Sequence, residues 1–93
     1  MEDIFIKNLP FIDLHGYDIE SARVATNDFI NDNIILRNKK ILIIHGKGKG
    51  LVRSSVHETL SKRKEVSRYY TDGLNDGCTI VHLCWVIIHM LQI

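Results

Sequence analysis

The sequence predicts an α/β chain, in detail an α+β two-layer sandwich. A mixed four-stranded sheet in the order β-α-β-α-β-β carries two helices on one face. Three observations predict it. Alternating or continuous apolar runs fall at residues 11–15, 40–45, 66–71 and 78–83, and segments of helical spacing separate the first three. Turn signals, Asp72-Gly73 and Asn75-Asp76-Gly77, stand between the last two. Strand–helix–strand crossovers are right-handed, so two in succession place both helices on the same side of the sheet.

Residues 1–9 form a lead-in that ends at Pro10, the only proline of the chain. Phe11-Ile12-Asp13-Leu14-His15 alternates as a short strand, with Ile12 and Leu14 pointing one way and Phe11, Asp13 and His15 the other. Gly16 breaks it. Asp18 is placed to cap a helix and Glu20 sits in its first turn, where the dipole favours acids. Ile19, Ala22, Ala25 and Phe29, widened by Ile30, form the apolar stripe of a helix from about Ile19 to about Leu36, with Asn38 as its left-handed cap. The continuous run from Lys40 to His45 fits a strand inside a sheet. Val52, Val56 and Leu60 recur every four residues in a second helix, from about Leu51 to Arg63, whose outer face is expected to carry Arg53, His57, Lys62 and Lys64. Val66 to Thr71 reads as a third strand, with Tyr69 opposite Arg68 and Tyr70; Cys78 to Leu83 reads as a fourth.

The organisation is one domain, residues 10–83, with an apolar tail at residues 84–93. Ninety-three residues, 45% hydrophobic and 25% charged, allow one two-layer core. The tail is too short to span a membrane and is expected to cover the helix-free face of the sheet or to meet a second copy as a dimer contact. Cys78 and Cys84, with five residues between them, match neither a C-x-x-C motif nor a disulfide framework. The N-terminus lacks a basic flank and an apolar h-region, so a cytoplasmic location is expected.

Net charge is only +1, but it is unevenly spread. Residues 1–36 hold seven acids and two bases, whereas residues 37–68 hold ten of the twelve bases and two acids. A basic middle segment calls for a polyanionic partner. At its centre lies Ile41-Leu42-Ile43-Ile44-His45-Gly46-Lys47-Gly48-Lys49-Gly50, a strand running into a glycine-rich turn and a helix start. In such a turn backbone N–H groups converge on an anion, helped by the helix dipole. The P-loop pattern is not met, because no GKS or GKT occurs, and the dinucleotide pattern fails on the spacing of Gly50. Arg53, one turn further on, can reach the same anion.

His15 and His45 both end strands and both precede a glycine. If the strands are parallel, the two histidines share the edge where open α/β sheets bind ligands. Asp13 stands two residues before His15 and can support its imidazole if the strand bends. Taken singly, Asp13 or His15 is more simply a structural residue. No compact His/Cys spacing indicates a metal site.

Ile12-Asp13-Leu14-His15-Gly16 resembles the L-D-L-H-G motif of the small MutS-related (Smr) domain family, and His45-Gly46-Lys47-Gly48-Lys49-Gly50 resembles its H-G-x-G-x-G motif. Leu51-Val52-Arg53 and the closing Gly77-Cys78-Thr79-Ile80-Val81-His82-Leu83 agree with that resemblance, which covers about residues 10–83. Ile12 replaces the usual leucine, and the apolar tail is not part of the pattern.

The resemblance implies a fold like the C-terminal domain of translation initiation factor three. It also implies endonuclease activity on RNA or DNA, with RNA favoured, in ribosome-linked RNA quality control or in DNA repair and recombination. It assigns catalysis to Asp13, His15, His45 and, less directly, Arg53, and phosphate binding to Gly46, Lys47, Gly48, Lys49 and Gly50. It requires no cofactor and leaves room for a divalent cation such as magnesium. His15, where some relatives have arginine, fits the stand-alone branch, and the expected partners are nucleic acid and the ribosome rather than a membrane. The competing expectations are a non-catalytic nucleic-acid or ribosome-binding module and, third, a small-molecule phosphate site.

Overall fold

The computed structural model describes residues 8–46, 50–73 and 75–84. Lys47, Gly48 and Lys49 of the glycine loop, and the expected cover by the tail from residue 85 on, lie outside the described residues. Strands β1 (Phe11–Asp13), β2 (Lys40–Ile44), β3 (Val66–Thr71) and β4 (Cys78–Leu83) form one sheet in the order β1-β2-β4-β3, with helices α1 (Ile19–Ile35) and α2 (Leu51–Ser61) in the two crossovers. β1 and β2 are parallel, with Asp13 opposite Ile44. β4 is antiparallel to both β2 and β3. The sheet is therefore mixed, as the element order requires.

Strand alternation sends Ile12, Leu14, Ile41, Ile43, Val81 and Leu83 to one face, where they pack with Ala22 and Ile30 of α1 and Val56 and Leu60 of α2. Leu14, Ile30, Ile41, Ile43, Val56 and Val81 are fully buried. Each such side chain is worth roughly 1.5–3 kcal/mol relative to exposure. Tyr69 turns to this face, while Arg68 and Tyr70 point away from it, the Arg68 guanidinium 5.4 Å from the Tyr70 ring centre. Arg63, just beyond α2, fastens the helical layer. It donates to Asn27 Oδ1 (3.0 Å) and Asn31 Oδ1 (2.7 Å) of α1 and to Glu65 Oε1 (3.0 Å).

Four expectations change. β1 stops at Asp13 rather than His15, because the chain turns after Leu14; Tyr17 N–H bonds the Leu14 carbonyl at 3.0 Å. The left-handed residue after α1 is Arg37 (φ 62°), not Asn38. Arg37 and Asn38 donate their N–H groups to Ile34 and Asn33, closing a Schellman motif in which Asn38 is the second residue beyond the cap. The buried stripe of α1 is Ala22, Thr26, Ile30 and Asn33, so Ile19 stands half-exposed at the helix start instead of in the core. α2 ends at Ser61, and His57 is not on its outer face but half-buried against the sheet.

Candidate functional site

Parallel pairing of β1 and β2 brings their C-terminal ends side by side. A cleft of about 1180 Å³ opens there, and His15, His45, Gly46, Gly50 and Arg53 all line it, along with Tyr17, Leu51 and Gly77. Asp13 stands directly behind His15. The structure thus unites Asp13, His15, His45, Gly46, Gly50 and Arg53 from the expected site residues; Lys47, Gly48 and Lys49 are outside the described residues.

Asp13 Oδ1 accepts two hydrogen bonds from the same residue, the His15 backbone N–H at 3.1 Å and the His15 Nδ1–H at 2.7 Å. The turn after Leu14 makes this possible, since in an extended strand the two side chains would share a face but stand about 7 Å apart. The side-chain hydrogen bond from His15, followed by the backbone one, holds the Asp13 carboxyl below its ordinary value, so it stays ionised. With Nδ1–H committed to Asp13, Nε2 is the imidazole nitrogen left to exchange a proton.

His45 is nearly fully buried, and both its ring nitrogens are engaged. Nδ1 lies 3.1 Å from the Gly46 carbonyl, which can only accept, so Nδ1 carries the proton and donates. Nε2 of the neutral ring then accepts from the Thr79 hydroxyl at 2.8 Å, and the Thr79 oxygen accepts from His57 Nε2–H at 2.8 Å. One directional chain therefore runs His57 → Thr79 → His45 → Gly46 carbonyl. The His57 ring also packs 5.1 Å from that of Tyr69. Burial pushes both imidazoles below their ordinary value; Arg53 adds to the push on His45, and His45 and then Arg53 add to it on His57. Both stay neutral at neutral pH, as the chain of donors requires.

The ends of the glycine loop are fixed from outside it. The Gly77 carbonyl accepts from both His45 N–H (2.8 Å) and Gly46 N–H (3.0 Å). Gly46 has φ 83°, and a Cβ there would sit 3.3 Å from His15 Cβ. Glycine is thus what lets the two histidine-bearing strand ends meet. Gly50, the residue before α2, also has positive φ (81°), and the Arg53 guanidinium folds back over it: a Cβ on Gly50 would lie 3.3 Å from Arg53 Nη2. A cation thus sits beside the positive end of the α2 dipole. Among the described residues no three His, Cys, Asp or Glu side chains cluster to hold a metal ion.

Thr79, His57 and Gly77 are site residues that sequence reasoning did not assign. Thr79 and Gly77 were visible only as members of the closing strand motif. His57 follows the buried Val56 and flanks the apolar stripe, a position that an outer-face assignment overlooks.

A family model described as the Smr domain matches residues 12–84. The chain belongs to the Smr domain family. Among curated relatives of this Smr chain, the "Endonuclease MutS2" of Finegoldia magna is 41% identical over 66 residues, 71% of this chain and 8% of that protein. The protein of the same name from Clostridium kluyveri is 37% identical over 76 residues, 77% of this chain and 10% of that one. The Smr chain thus corresponds to a tenth or less of those proteins' length. Among solved structures, the Smr domain of Thermus thermophilus MutS2 superposes with a TM-score of 0.80 at 24% identity, over 82% of this chain and 99% of that one, and bears on the fold alone. YdaL, a stand-alone small MutS-related protein from Escherichia coli, superposes with a TM-score of 0.75 at 28% identity, over 78% of this chain and 63% of that one. No helix among the described residues is long and apolar enough to cross a membrane.

Proposed function

We propose that this Smr chain is an endonuclease that cleaves phosphodiester bonds, in RNA ahead of DNA. The observation that carries the proposal is the Asp13–His15 hydrogen bond, 2.7 Å long, at the mouth of a cleft that also holds Arg53. The endonuclease name of the curated relatives supports it.

His15 Nε2 accepts the proton of the attacking oxygen, and the resulting imidazolium is stabilised by the ionised Asp13. Arg53 and the N-terminal end of α2 offset the negative charge that develops on the phosphoryl oxygens, with Lys47 and Lys49 of the loop as further phosphate contacts. His45 acts from behind: its hydrogen bond to the Gly46 carbonyl, fixed by Thr79 and His57, sets the direction in which the loop leaves β2. RNA is placed ahead of DNA because a ribose 2′-hydroxyl is an internal nucleophile that a single imidazole can deprotonate. The protonated His15 then returns its proton to the leaving oxygen, which makes one residue base and acid in turn.

The test is incubation of the purified protein with end-labelled single-stranded RNA, structured RNA including ribosome-bound message, and duplex and branched DNA, with and without magnesium. Cleavage that depends on His15 supports the proposal. Tight binding with no cleavage of any substrate assigns the chain instead to a nucleic-acid or ribosome-binding module.

A further inference from the structure

We propose that the apolar wall of the cleft is a nucleobase subsite, in which Tyr17 stacks on an unpaired base while Arg53 holds the neighbouring phosphate. This rests on a nucleic-acid partner and goes beyond it, because it states what form of nucleic acid the cleft accepts and which side chain reads it.

Exposed apolar side chains that lie together, rather than scattered singly, mark a binding surface. Tyr17, Ile19 and Leu51 are 43%, 51% and 58% exposed, and all three line the cleft that contains His15 and Arg53. The helical spacing of Ile19 would place it in the core, yet the chain turns it outward. The wall is also held in place. Tyr17 N–H bonds the Leu14 carbonyl, Asp18 accepts from Ser21 N–H at 2.7 Å as the α1 cap, and Ser55 Oγ donates to the Ile19 carbonyl at 3.1 Å, tying the start of α1 to α2. The Tyr17 backbone is therefore fixed relative to the helix that carries Arg53.

An aromatic ring with aliphatic flanks on one wall and a guanidinium on another matches the two halves of a nucleotide, a flat apolar base and an anionic phosphate. The cleft volume, about 1180 Å³, exceeds what a phosphate alone needs and lies just above the usual range of ligand-sized pockets, roughly 300–1,000 Å³. A base in intact duplex is stacked on both faces and cannot offer one to Tyr17. The subsite therefore selects single strands, loops and mispaired positions, and it places the scissile phosphate next to an unstacked base.

The experiment is abasic scanning by equilibrium fluorescence anisotropy. A short single-stranded oligonucleotide, made as RNA and as DNA, carries one abasic nucleotide at each position in turn. It is titrated with wild type, Tyr17→Leu and Tyr17→Phe, and a matched duplex is titrated alongside. Tyr17 lies outside the buried core, and unchanged circular dichroism and Tm show that the variants fold. The expected result is one abasic position that weakens wild-type binding about tenfold, the scale of one base–aromatic stack. Tyr17→Leu weakens the intact strand by a similar factor, and the abasic change then adds nothing; Tyr17→Phe behaves as wild type, and duplex affinity is the same for all three. Salt-dependent binding in which no abasic position matters, or in which the Tyr17→Leu and abasic effects multiply, overturns the subsite and leaves the nucleic-acid function standing. Failure of wild type to bind either strand or the duplex overturns both.

Discussion

The Asp13 carboxylate and the His15 imidazole meet at 2.7 Å, and the same Asp13 oxygen accepts the His15 backbone N–H. The second contact matters to the first. It pins the carboxylate over its own turn, so the imidazole is held by an acceptor that cannot swing away. An exposed ion pair on long side chains would contribute little by comparison.

Asp13→Asn and Asp13→Ala should therefore separate. The amide oxygen that Asp13→Asn introduces can still accept both His15 N–H groups, so the tautomer survives and only the charge is lost. We expect a cleavage rate about tenfold lower, as for a charge-assisted hydrogen bond reduced to a neutral one. Asp13→Ala frees the ring and should lose substantially more. Single-turnover cleavage kinetics, with affinity measured in parallel, check the order.

Thr79 receives a hydrogen bond from His57 and gives one to His45, so Thr79→Val leaves a nitrogen of each ring unpaired in a poorly solvated site. The expected loss is about 1–3 kcal/mol, with Thr79→Ser close to wild type. Urea denaturation measures both. A Thr79→Val protein as stable as wild type would show that the chain of hydrogen bonds contributes little.

Stability should fall on mild acidification. Burial lowers the folded-state values of His45, His57 and His82, the last also through Arg68 and Lys40, below the ordinary 6.5. The unfolded chain then binds more protons than the native one below that value. Stability is complete above it and is lost as pH falls through the lowered folded-state values. Tm should decline between about pH 7 and about pH 5, above the range in which Asp13, Asp18 and Glu20 titrate, and the decline should be shallower in His57→Gln. A flat Tm across that window contradicts the buried neutral pair.

Gly46 and Gly16 offer an internal comparison. Both have φ 83°, but a Cβ on Gly16 meets nothing within 4 Å, whereas one on Gly46 meets His15 Cβ at 3.3 Å. Gly16→Ala should cost only the left-handed strain, roughly 1–2 kcal/mol. Gly46→Ala should cost more and should also displace His15, lowering cleavage in a way that Gly16→Ala does not. Paired denaturation and activity measurements read out the difference.

Local patterns made most of the fold legible. β3 and β4 follow their apolar spacing, Asp18 caps α1 as its type and position indicate, and β2 lies inside the sheet as its unbroken apolar run implies. Two positions escaped for a common reason. Arg37 rather than Asn38 takes the left-handed cap, while the Asn38 side chain bonds that of Asn33 across the helix end, a pairing that single-residue propensity does not rank. His57 turns inward because Thr79, 22 residues away in sequence, offers it a hydroxyl. The candidate site was legible where it rests on motifs at strand ends. Its supports in β4 and α2 were not, because they depend on sheet register rather than on local spacing.

The most direct test of the central claim is the single-turnover cleavage rate of a labelled RNA strand by wild type and His15→Ala, each shown to bind the strand equally. Cleavage by wild type that falls by about 10²–10⁴-fold in His15→Ala, at unchanged affinity, is the predicted result. Cleavage that survives His15→Ala undiminished contradicts the assignment of proton transfer to the His15–Asp13 pair.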